Sequence, residues 1–93
     1  MTHPPLENLS AILAQIDTPA AMRDALIDLC TPAELRALSE RWRVAQMLSD
    51  NKSYREINAE TGVSTTTIGR VARFLKDEPH GGYRMMLELD QDT

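Results

Sequence analysis

The chain has 93 residues, 10 Lys and Arg against 14 Asp and Glu, and one cysteine, Cys30. A single domain over 1–93 is expected, with a core so small that oligomerisation is the natural way to bury more apolar surface. One cysteine excludes an internal disulfide, His3 and His80 lack metal-ligand spacing, and no run approaches the roughly 18 apolar residues of a membrane span.

Pro4 and Pro5 close a short polar start, MTHPPLEN, which lacks the basic region and apolar run of a signal peptide, so a cytoplasmic protein is expected. Leu6, Leu9, Leu13 and Ile16 then fall at helical spacing and predict a first helix ending near Ile16. Thr18 caps the second helix and Pro19 opens it, where its missing N–H does no harm. Met22, Ala25, Leu26 and Leu29 form its stripe, and Cys30 reads as a buried small hydrophobe. In TPAE, Thr31 caps, Pro32 opens and Glu34 completes a capping box. The third and longest helix spans 32 to about 49, with Leu35, Leu38, Trp42, Ala45 and Leu48 along one side and Trp42 as an apolar anchor. Val44, Met47 and Ala37 widen that surface, and the surplus is assigned to a partner subunit.

The stretch SYREINAETGVSTTTIGRVARFLK, residues 53–76, reads as a helix-turn-helix. Ser53 and Glu56 form a second capping box, Gly62 ends the helix, and Ser64 caps the next. Ile57, Val63, Ile68 and Val71 would lock the two helices together. Opposite them lie Thr65, Thr66, Thr67, Gly69, Arg70 and Arg73. Short hydroxyl side chains permit close approach to base edges, and Arg takes guanine or phosphate. Gly69 costs about 1 kcal/mol against alanine in mid-helix, which points to close approach of DNA or of a partner helix. Arg55 and Asn58 would meet the DNA backbone, with Lys52 and Lys76 as flanking phosphate contacts. The turn Asp50-Asn51-Lys52 leads into this unit.

Residues 77–82 form a loop by composition, and His80 within it should be solvated. Tyr83, Met86, Leu87 and Leu89 predict a short final helix, docked on a neighbouring subunit or under its own helix-turn-helix. The tail from Asp90 to Thr93 is expected to fray.

The net charge of −4 is unevenly spread: −3 over 1–30, +3 over 31–76 and −4 over 77–93. The local field at the phosphates decides DNA binding, so a basic middle suits a reader of double-stranded DNA. A protein-interaction module built on the same scaffold, and a repressor sensing an unidentified small molecule, remain alternative readings. No His, Cys or paired carboxylates stand at catalytic spacing, so the chain does not read as an enzyme.

The block LCTPAELRALSERWRVAQMLSDNKSYREINAETGVSTTTIGRVARFL, with GGYRMMLEL after it, resembles the Trp repressor superfamily and its YerC/YecD-like branch. That resemblance implies an all-α fold of six helices and an intertwined homodimer with exchanged N-terminal helices. It further implies two reading heads set one DNA turn, ~34 Å, apart on a near-palindromic operator. The Trp repressor uses tryptophan as corepressor, clamped between two arginines. By resemblance, Thr31, Arg41 and Arg70 match its ligand pocket, whereas Val71 and Phe74 stand where that repressor has glycine and serine. Their bulk would fill much of the ligand space, so no tryptophan corepressor is expected. Phe74 would instead wedge the reading head outward and give a constitutive DNA binder.

Overall fold

Proline and hydroxyl side chains mark most of the helix starts. The computed structural model describes residues 4–92, so His3 and Thr93 lie outside the described residues. Its secondary structure there is all-helical, in the order α1 (Pro5–Leu13), α2 (Pro19–Leu29), α3 (Pro32–Ser49), α4 (Tyr54–Thr61), α5 (Thr65–Lys76) and α6 (Gly82–Gln91). Thr18 Oγ1 accepts the Ala21 N–H at 3.1 Å ahead of α2. At α3, Thr31 Oγ1 accepts the Glu34 N–H at 3.1 Å while Glu34 Oε1 accepts the Thr31 N–H at 2.9 Å. Ser53 and Glu56 repeat this exchange at α4, at 3.1 and 3.2 Å. Both predicted capping boxes are present, each satisfying two N–H groups that a helix start leaves open.

The chain forms two compact units, Met1–Leu35 and Arg36–Thr93. In the first, neither α1 nor α2 buries a residue. The first helix is shorter than its apolar spacing suggests, ending at Leu13. Beyond it the N–H groups of Gln15 and Ile16 reach back three residues, to the carbonyls of Ile12 and Leu13, as a last helical turn tightens. Thr18 is extended, as the residue before a proline prefers, so Ile16 falls outside the helix. Leu6 is 73% exposed and Leu29 54%. Cys30, at the C-cap of α2, is only half-buried, because this unit has no closed interior to receive it.

The second unit carries the core: Val44, Ala45, Met47, Ile57, Val63, Ile68 and Val71, with Trp42, Leu48 and Tyr83 packed against it. This corrects the reading of α3. Val44 and Met47 are buried at the centre of their own chain's core, and Leu38, expected inside, is exposed. The α4–α6 segment closes on the face carrying residues 44, 47 and 48, which helical geometry places in one row. Helix α6 packs on α5 of its own chain, where half-buried Tyr83 lines a groove with Phe74, and Leu87 of α6 is buried. Helical structure continues to Gln91, where fraying was expected, and Gln46 Nε2 on α3 donates to Asp90 Oδ2 at 3.2 Å. Helix α3 ends at Ser49, and two residues on Asn51 takes a left-handed φ of 62°. The Lys52 N–H returns to the Met47 carbonyl and the Asn51 N–H to that of Leu48, which closes the helix end.

Candidate nucleic-acid interface

Helices α4 and α5 are locked by Ile57, Val63, Ile68 and Val71, each buried as expected. Gly62 turns the chain at φ 73°, its N–H donating to the Asn58 carbonyl at 2.8 Å. Only Val63 and Ser64 then precede α5, so the apolar Val63 side chain enters the core and takes its polar backbone inward. Such groups need partners. The Val63 N–H donates to Thr61 Oγ1 at 3.1 Å, and Asn58 Nδ2 donates to the Val63 carbonyl at 2.9 Å. The Thr61 hydroxyl in turn donates to the Ile57 carbonyl at 2.6 Å. Asn58, read from the sequence as a DNA-backbone contact, is exposed and gives one amide N–H to the turn. Thr61 was missed altogether. Its signal is a hydroxyl immediately before the turn glycine, able to donate into its own helix and accept from beyond it.

On α5, burying Ile68, Val71 and Ala72 turns Thr65, Thr66, Arg70, Arg73 and Lys76 outward, with Thr67 and Gly69 half-buried. Ser64 Oγ accepts the Thr67 N–H at 3.2 Å and donates to Thr67 Oγ1 at 3.2 Å. Thr67 is thus drawn into the cap, leaving Thr65 and Thr66 as the exposed hydroxyls of the first turn. No acidic residue sits in that turn, so the positive end of the helix dipole is left to attract phosphate. A Cβ built on Gly69 would meet nothing within 4 Å, so packing within the chain does not demand glycine there.

The arginines are organised by an aromatic ring. Arg70 Cζ lies 4.6 Å and Arg73 Cζ 5.0 Å from the centroid of Phe74. Arg73 Nε also stands 3.6 Å from Glu78 Oε1. Arg55 is exposed in the first turn of α4. Lys52 pairs with Glu60 at 2.9 Å, so its ammonium is engaged with α4. The Ser53 N–H, its hydroxyl and the nearby charge of Lys52 hold the Glu56 carboxyl below its ordinary range, keeping an anion at the start of α4. The Thr31 N–H and hydroxyl do the same for Glu34 at α3.

The residues matched to a ligand pocket are placed differently from one another. The Thr31 hydroxyl caps α3 in the first unit, Arg41 is half-buried on α3, and Val71 is a core residue with 0% exposure. Arg70 and Phe74 do meet, as described. Phe74 also lines an apolar groove of about 270 Å³ with His80, Gly82, Tyr83 and Met86. Among the described residues no cluster of His, Cys, Asp or Glu could hold a metal ion, and no helix is long and apolar enough to cross a membrane.

Comparison with known proteins agrees with this architecture. The family model for Trp repressor protein matches residues 5–91. The uncharacterized protein YerC of Bacillus subtilis (strain 168) is 42% identical over 66 residues, which span 71% of this chain and 62% of that relative. A crystal structure from Staphylococcus aureus, described as a candidate Trp repressor, superposes with a TM-score of 0.87 at 31% identity, covering 97% of this chain and 89% of that one. A TrpR-like protein from Eubacterium eligens gives a TM-score of 0.76 at 38% identity, covering 91% and 86% of the two chains.

Proposed function

The chain belongs to the Trp repressor family, and on that premise we propose that it is a sequence-specific DNA-binding regulator, a dimeric repressor that lays α5 in the major groove. The observation that carries this reading is the outer face of α5, where Thr65, Thr66, Arg70 and Arg73 stand opposite a fully buried lock. Thr65, Thr66 and Gly69 approach base edges, Arg70 and Arg73 take guanine or phosphate, and Arg55 and Lys76 hold the backbone. Dimerisation is supported by the first unit, whose two helices bury nothing and leave large apolar side chains in water. Two heads one DNA turn apart read a near-palindrome. Action on DNA in the cytoplasm follows from the same reading.

Two contacts of the residues matched to the tryptophan site support a reading without that corepressor. The Arg70 guanidinium rests on Phe74, and Val71 belongs to the core, so we propose a regulator that binds DNA without that corepressor.

The test is selection from random duplexes with purified protein, with and without tryptophan, beside a folded Arg70→Ala, Arg73→Ala variant. A palindrome enriched equally in both conditions and lost in the variant is expected. Enrichment only with tryptophan would return the protein to ligand control. No enrichment in either condition would favour a protein-interaction module or a different effector.

A further inference from the structure

We propose that Phe74 is a positioning residue for DNA recognition, its ring ordering the guanidinium groups of Arg70 and Arg73 before DNA arrives. The inference rests on the reading of α5 as the DNA-reading helix. Phe74 has no polar atom with which to read a base or hold a phosphate, so any part it plays must pass through its neighbours. Two cations share it: Arg70 Cζ at 4.6 Å and Arg73 Cζ at 5.0 Å from the ring centroid, both within the range of cation–π attraction. Residues 70 and 74 lie one helical turn apart, so their side chains meet without distorting the helix.

The ring is itself held. Phe74 is half-buried and lines the groove formed with Tyr83 and Met86 of α6, so its position is set by the packing of α6 on α5. A free arginine on an exposed helix face samples many rotamers, and binding must suppress them. Stacking on an aromatic ring uses the flat face of the guanidinium and leaves its in-plane N–H donors free for a bidentate partner. Arg73 has a second hold in Glu78, at 3.6 Å, so the larger effect of losing the ring is expected at Arg70.

The experiment uses the full chain, the duplex that it selects and a scrambled duplex of equal length. Phe74→Leu keeps apolar bulk toward Tyr83 and Met86 but removes the ring, whereas Phe74→Tyr keeps the ring. Phe74→Met replaces the leucine variant should that one fail to fold. The ring-less variant should bind the selected duplex on the order of tenfold more weakly. Binding to the scrambled duplex and the slope of affinity against salt should stay as in the parent, because no charge has been removed. Phe74→Tyr should restore selected binding. In the free protein, the ring-current shifts on the Nε–H groups of Arg70 and Arg73 should disappear with the ring and return with tyrosine.

Equal loss on both duplexes, unchanged affinity in Phe74→Leu, or ring-current shifts that ignore the substitution would each overturn the positioning role while leaving DNA binding intact. A parent protein that selects no duplex would overturn the DNA reading and the positioning role with it.

Discussion

The side-chain amide of Asn58 donates to the carbonyl of Val63 at 2.9 Å, so α4 itself satisfies the backbone of the turn that leads into α5. The buried Val63 side chain draws that carbonyl inward, and the amide replaces the water it loses. Removing the amide should therefore act on folding before it acts on any ligand. Asn58→Ala should lower stability by about 1–2 kcal/mol, the lower part of the range for an unsatisfied group because the site is only part-buried. Urea denaturation reads this directly. Unchanged stability with weakened DNA binding would return Asn58 to the DNA backbone.

Gly69 separates stability from function. A Cβ there meets nothing within 4 Å, so Gly69→Ala should raise stability by about 0.5–1 kcal/mol through helix propensity alone. If DNA approaches the helix at this point, the same variant binds the selected duplex less well. A variant both more stable and equally tight in binding would remove Gly69 from the interface.

The end of α3 depends on a left-handed residue that is not glycine. Asn51 tolerates φ 62° because its short amide suits that region, whereas a β-branched side chain does not. Asn51→Val should cost about 1–2 kcal/mol, and Asn51→Gly should stay within about 0.5 kcal/mol of the parent. Equal thermal midpoints for the parent and both variants would contradict the geometry.

Acid should loosen the helix starts. The Thr31 and Ser53 N–H groups hold the Glu34 and Glu56 carboxyls below their ordinary value of 4.5. A carboxyl depressed in the folded state stabilises the fold above its unfolded pKa, and that contribution is lost as pH falls through the folded value. The melting temperature should therefore drop below pH 4.5, and a Glu34→Gln, Glu56→Gln variant should show a shallower drop. Identical acid profiles would show that the two capping boxes contribute nothing through their charge.

Local chemistry makes the helices legible in the sequence. Thr18, Thr31, Ser53 and Ser64 announce helix starts because a hydroxyl beside an open N–H acts within three residues, and Gly62 announces a stop because its left-handed backbone suits few other residues. The lock of Ile57, Val63, Ile68 and Val71 follows from periodicity for the same short-range reason, and it turns Thr65, Thr66, Arg70 and Arg73 outward. What depends on distant partners was not legible. Helix α3 carries apolar residues on more than one face, and only closure of α4, α5 and α6 selects Val44 and Met47 for the core while leaving Leu38 in water. Asn58 is polar at a helix surface and could serve DNA or the chain, and only the fold shows that one of its amide N–H groups meets the inward carbonyl of Val63. Likewise Lys52 is drawn to Glu60, and the rings and charges of Arg70, Arg73 and Phe74 meet through side-chain geometry that spacing permits without requiring. Sequence determines what each residue is able to do within a turn of helix; packing decides which of those abilities is used.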